Sequence, residues 1–235
     1  MSKEKYDLHV KMLECDGMKF QNRMKSHSFT LNIFVGNDTE LQEGLSIIEN
    51  PDVAIKLVLD KNRQESMQAH REINRLFHNY LASAKTLIDH TRVFIDEYYV
   101  DTVVASNYKV KILDEFANDP LVRFVQDLRN FMLHNGLPHN EMSFSFENGS
   151  STIESQINLD TIKLQQWTRW TKPSKNFLNL QSEKLSLIEL IQPYSEKVIE
   201  LHNWLNSELY RYHEKDLQEF RELQSAYQNF AQNVT

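Results

Sequence analysis

Apolar residues recur along most of this chain at alternating steps of three and four, the spacing of one face of an α-helix. The longest such run lies between about Gln64 and Tyr99. There Ile73, Phe77, Tyr80, Ala84, Leu87, Thr91, Phe94 and Tyr98 step by 4, 3, 4, 3, 4, 3, 4, and Leu76, Ile88 and Ile95 widen the stripe. Glu72, Arg75, Lys85, Asp89 and Arg92 occupy the opposite side. The same rhythm passes through Leu187, Ile191, Tyr194, Val198, Leu201, Leu205, Glu208 and Tyr212. They lie in a helical stretch over Leu185–Gln232, which Pro193 is expected to kink or restart. Val110, Leu113 and Phe116 predict a shorter helix over Lys109–Asn118, with the β-branched stretch Val100–Asn107 as a connection resting on the core.

The best-bounded element reads DPLVRFVQDLRNFMLHNGLPH, Asp119 to His139. Asp119 is a good N-cap and Pro120 suits the first helical position. Leu121, Val125, Leu128 and Met132 form its buried stripe, widened by Phe124 and Phe131. Gly136 is placed to take a left-handed conformation after the last turn, and Pro138 prevents continuation, so the helix is expected to end near His134.

Two stretches carry the period of two expected of strands. Phe29, Leu31, Ile33 and Val35 alternate and then meet Gly36-Asn37-Asp38, which predicts a short N-terminal strand. Met142 to Asn158 predicts a β-hairpin: Phe144 and Phe146 alternate with polar residues, Asn148-Gly149 offers the turn, and Ile153, Ser155 and Ile157 alternate beyond it. Asn50-Pro51-Asp52 marks another helix start. A short helix over about Asp160–Trp167 and an irregular stretch near Lys172-Pro173 complete the reading. The fold class is therefore mainly α: an antiparallel helical bundle with a β-hairpin insertion and one further N-terminal strand. It forms a single domain over 1–235, with a mixed segment at 1–60, a helical core at 61–140, the hairpin at 141–159 and C-terminal helices at 160–235.

With 5 glycines and 5 prolines in 235 residues there are few breaks, which favours long helices. No apolar run approaches the roughly 20 residues of a membrane span, and MSKEKYDLHVKMLE lacks a secretory apolar core. Cys15 is the single cysteine, so an internal disulfide and a cysteine zinc cluster are excluded, and a cytoplasmic location is expected. The net charge of -7 argues against a non-specific nucleic-acid coat. There is no Gly-rich phosphate loop, GxSxG or HExxH.

The candidate chemistry is Arg129, Asn130 and His134. Arginine followed by histidine is not rare here: Arg63 with His70 and Arg71 with His78 also occur. The neighbours distinguish the third pair. Asn130 and His134 are four apart and share a helix face, where an amide can orient an imidazole. His134 stands in the last turn, where the helix dipole favours a cation. Arg129 and His134 are separated by about 7.5 Å of rise and about 140° of rotation on an ideal helix. They do not converge within one regular helix, whereas a two-fold partner brings two such pairs to one cleft.

LRNFMLHNGLP, preceded by VRF and FIDEYY, resembles the HEPN superfamily of helical nucleotide-binding domains. That family is marked by an arginine, an adjacent polar residue and a histidine four to six residues on; Arg129, Asn130 and His134 match it over roughly residues 64–140. The resemblance implies a metal-independent endoribonuclease with no cofactor, in a toxin, phage-defence or RNA-processing role. It also implies an RNA substrate, a homodimer with a composite site, and an antitoxin or other protein partner. Some members have lost activity, so a non-catalytic module binding RNA, a nucleotide or a protein is the second expectation. One branch carries tyrosine two residues after the histidine, and this chain has Gly136 there. Other groupings are weaker: His134 and His139 lack further metal ligands nearby, and Trp167 and Trp170 near the hairpin suit packing better than base stacking.

Overall fold

Helices carry most of the computed structural model, which describes residues 3–146 and 153–232. Helix α1 (Lys3–Glu14) leads into the long α2 (Asp16–Glu49), then α3 (Pro51–Val58) and a single 3-10 turn at Asp60–Asn62. Next come α4 (Arg63–Tyr98), α5 (Val103–Glu115) and α6 (Pro120–Asn135). Strands β1 (Asn140–Phe146) and β2 (Ile153–Asp160) follow, then α7 (Thr161–Gln165), α8 (Lys172–Asn179), β3 (Lys184–Ser186), α9 (Leu187–Tyr212) and α10 (Glu214–Gln232).

The mainly α class and the β-hairpin are as the sequence predicts; the N-terminal strand is not. Phe29–Val35 is helical, inside α2. The buried positions of that helix include His27, Thr30, Phe34, Asp38, Leu41, Leu45 and Ile48, which keep the 3–4 rhythm. Three of them are polar or charged, so the helical stripe is hidden in a reading of apolar residues alone. Phe29 and Ile33, which suggested alternation, are exposed. The third strand is instead β3, which joins the other side of the hairpin. The sheet order is β1-β2-β3 and both pairings are antiparallel, with Asn140 opposite Leu159 and Asn158 opposite Ser186. The Asn148-Gly149 turn lies outside the described residues.

Helices α2 and α4 run antiparallel: Thr30 Oγ1 is 3.0 Å from His90 Nδ1, while Gly44 faces Ile73 and Leu76 further along. Helix α9 lies along both. Tyr80 OH donates to Ser195 Oγ at 2.8 Å, and Ser195 donates to Asp38 Oδ1 at 2.6 Å, so a buried polar chain ties α4, α9 and α2 together. Gln42 Nε2 donates to both Asp38 oxygens at 3.0 Å. Helix α9 continues through Pro193 without a break. At the far end α10 approaches α2 so closely that a Cβ at Gly17 would fall 2.2 Å from the Asp216 carbonyl oxygen.

Two apolar clusters result. The larger joins α2, α4, α6, the sheet and α9 around Phe34, Phe77, Tyr80, Leu128, Leu159 and Tyr194. The smaller holds Phe20, Phe94, Tyr99, Val104 and Leu209. The α4 stripe ends on Tyr99, buried, rather than Tyr98, which is exposed. Helix α5 begins earlier than predicted because Thr102 caps it, its hydroxyl accepting from Ala105 N at 3.3 Å. Lys172-Pro173 opens α8, where irregular chain was expected.

Candidate functional site

Helix α6 is defined at both ends by its own sequence. Asp119 accepts from Val122 N at 2.9 Å and Pro120 occupies the first turn. Gly136 closes the helix at φ 83°, donating to Met132 O at 3.1 Å. A side chain would be strained at that φ, which explains the glycine.

The inner face of α6 is committed to packing. Phe124 and Phe131 meet Trp170, the Phe131 pair stacked at 5.8 Å between centroids, and Trp170 Nε1 donates to Leu164 O at 2.7 Å. Trp167 packs edge-on to Trp170. Both tryptophans are therefore structural. Asp127 is buried beside them. Its Oδ2 accepts from Thr171 N at 3.0 Å, Thr171 Oγ1 at 2.6 Å and Ser174 Oγ at 2.6 Å, which caps the start of α8 from another helix.

The three candidate residues lie off that face, Arg129 half-buried and Asn130 and His134 exposed. Arg129 is half-buried and borders a crevice, too narrow for water, with Lys85 and Ile88 of α4 and Tyr194 of α9. The acids nearest in sequence are engaged elsewhere: Asp127 at the start of α8, Asp119 by Lys197 at 3.1 Å, and Glu141 by Lys184 at 2.5 Å. Among the described residues Arg129 has no hydrogen bond or ion pair. Asn130 and His134 are exposed and likewise have none, so the pairing of amide with imidazole expected from their spacing is not formed. Helix α6 stays regular to Asn135, which leaves Arg129 and His134 on different sides of it. Leu133 and Leu137, 62% and 49% exposed, flank His134.

The other pairs behave differently. His70 hydrogen-bonds Asn140, whose Nδ2 donates to Asn74 Oδ1 at 2.7 Å, so it serves to join α4 to β1. His78 is exposed in mid-helix, with none of the helix-end features of His134. His139 lies 3.7 Å from Asp160. Among the described residues no group of three or more His, Cys, Asp or Glu is arranged to hold a metal ion, and no helix is long and apolar enough to cross a membrane.

Two interior histidines escape a sequence reading directed at motifs. His27 of α2 stacks on Phe94 at 4.4 Å, and His202 of α9 lies 5.6 Å from it, ring to ring. Burial holds both imidazoles down at about 4, with repulsion from His90 adding to the effect at His27 and repulsion from His27 adding to it at His202. His27 Nε2 and His202 Nδ1 are sealed from solvent without a hydrogen-bond partner. The available signal was position: His202 falls on the apolar stripe of α9, between Val198 and Leu205.

Comparison of the chain with protein-family models gives no match, and neither curated proteins nor solved structures match it.

Proposed function

We propose that the chain is a HEPN-type, metal-independent endoribonuclease with a toxin or defence role in the cytoplasm, its site shared between two copies. The observation that supports this is the uncommitted state of Arg129: an arginine whose neighbouring acids are engaged elsewhere, on the same helix as an accessible histidine. A guanidinium in that state can hold a phosphodiester through two parallel hydrogen bonds and stabilise the charge that gathers on its oxygens. His134 takes the proton from the ribose 2′-hydroxyl as that oxygen attacks phosphorus. His134 of the second copy gives a proton to the departing 5′-oxygen. The products are a 2′,3′-cyclic phosphate and a 5′-hydroxyl. Asn130 contacts phosphate beside them. The exposed Leu133 and Leu137 give a second copy an apolar footing next to the histidine.

The test is cleavage of RNA by purified protein in EDTA, with end-group analysis. Wild type is expected to leave cyclic phosphate ends and to lose that activity on Arg129→Ala, His134→Ala double substitution. Equal cutting by both proteins defeats the reading, and loss of activity on chelation points to a metal enzyme.

A second reading is a non-catalytic module that binds RNA, a nucleotide or a protein. It is favoured by one observation, the regularity of α6 to Asn135, which keeps Arg129 and His134 apart within a chain. A monomer in solution that binds RNA without cutting it selects this reading.

A further inference from the structure

Helices α4, α5, α6 and α9 enclose a cavity of about 300 Å³. Its walls are mainly apolar, from Ile88, Ile112, Phe116, Val122, Val198 and Leu201. Tyr108 and Gln126 add half-buried polar groups, and exposure separates the extremes of the remaining lining. Tyr194, Thr91 and His202 are 1%, 1% and 3% exposed and form the floor, while Arg92 and Arg123 reach solvent at the rim. Among the described residues, the charged groups lining the cavity are thus two cations at its mouth.

Each end has an unmet need. Arg123 donates to Gln126 at 3.1 Å and has only a long ion pair with Asp127 Oδ1, at 3.9 Å; the other oxygen of that carboxylate, Oδ2, accepts from Thr171 and Ser174. Arg92 has only a long contact with Asp89, at 3.4 Å. At the floor, neither nitrogen of His202 has a hydrogen-bond partner among the described residues. Its Nδ1 is sealed from solvent, so the nitrogen that a ligand in the cavity can reach is Nε2, which also lacks a protein partner among the described residues. The neutral ring, unprotonated at neutral pH through its burial, can accept as well as donate.

We infer that this cavity binds a small arylalkyl carboxylate with a hydroxyl at the far end: the carboxylate meets Arg123 and Arg92 at the rim, the apolar body fills the walls, and the hydroxyl meets His202. The volume is at the lower end of small-molecule sites, which limits the ligand to one ring or a short chain. The site is independent of the ribonuclease reading, although it shares Ile88, Gln126 and Tyr194 with the crevice under Arg129.

The experiment is calorimetric titration of the full chain with 4-(4-hydroxyphenyl)butyrate, 4-phenylbutyrate and 4-phenylbutan-1-ol. The hydroxylated acid is expected to bind saturably with Kd below about 1 mM. Removing its hydroxyl is expected to weaken binding roughly fivefold in wild type and not in His202→Leu. Arg123→Gln is expected to weaken both acids roughly tenfold and leave the alcohol unchanged. Ala117→Trp, which fills the cavity, is expected to abolish binding while the protein melts cooperatively; Arg123→Gln, at the surface, serves if that variant does not fold. Absence of saturable binding by the hydroxylated acid overturns the proposal. So does binding that survives a folded Ala117→Trp, equal affinity for acid and alcohol, or a hydroxyl effect unchanged in His202→Leu.

Discussion

The end of α6 and the junction of α2 with α9 each hold imidazole without a hydrogen-bond partner, and the physics of the two places is opposite. At His134 water supplies what the protein does not, so the unpaired ring carries no stability cost and stays open to a reaction. At His27 and His202 water is excluded, and each sealed nitrogen carries a desolvation penalty of roughly 1–3 kcal/mol. An unpaired polar group on the surface thus directs attention to chemistry. The same group in the interior directs it to stability, and to whatever occupies the adjoining space. Substitutions at the two places should therefore separate cleanly in what they change.

The largest effect is expected at the surface and in activity alone. As a general acid or base, His134 should contribute about 10²–10⁴-fold to RNA cleavage. His134→Ala is expected to lower the single-turnover rate by that factor, and Arg129→Ala to do so comparably by removing the phosphate contact. Unchanged rates in both variants would strip the α6 end of any chemical role and leave the interior histidines as the only functional contrast.

Acid should act on the interior pair. Both imidazoles fall to about 4 in the folded chain from an ordinary 6.5. The unfolded chain therefore binds more protons between those values, and stability must fall as pH drops from about 6.5 toward 4, below which the loss is complete. The full loss is on the order of 3 kcal/mol for each histidine, and about 2 kcal/mol of it is expected by pH 5. Urea unfolding at pH 7 and pH 5 measures this. The double variant His27→Phe, His202→Leu should show a much flatter profile, and a wild-type curve already flat over that window would show that the two sites are solvated after all.

Ser195→Ala comes next in size. It removes the hydroxyl that donates to Asp38 and accepts from Tyr80, leaving buried groups short of a partner. A loss of about 1–3 kcal/mol in urea unfolding is expected. An effect near zero would mean that Gln42 and the Ile191 carbonyl, already within reach of Asp38 and Tyr80, satisfy them alone.

These contrasts also explain what the sequence could reveal. Helix α6 was legible almost to the residue because Asp119, Pro120 and Gly136 act locally, through backbone groups a few positions away. Helix α4 was legible because its stripe is nearly all apolar. Helix α2 was not, because His27, Thr30 and Asp38 interrupt its stripe and meet partners on α4 and α9 that no local pattern announces. The start of α8 depends on Asp127, 44 residues away from Thr171, and no local pattern announces such a cap. Arg129, Asn130 and His134 were legible as residues. The absence of contact among them was foreshadowed by helix geometry, while the release of Arg129 from Asp127 depends on tertiary packing.

The smallest expected change is the sharpest check on the opening contrast. Asn130→Ala and His134→Ala remove exposed side chains with no partner among the described residues, from a helix whose ends are fixed by Asp119 and Gly136. Unfolding free energy at pH 7 should stay within about 0.5 kcal/mol of wild type, the range of surface substitutions that break no structural feature. The placing of His134 near the helix C-terminus bounds the cost from above, at about 0.3–1 kcal/mol at low ionic strength and less in salt. Urea unfolding in 0.15 M salt is the suitable measurement. A loss above about 1 kcal/mol for His134→Ala would place that ring in a structural network formed on association, and repeating the measurement at several protein concentrations would reveal it, because stability supplied by a second copy rises with concentration.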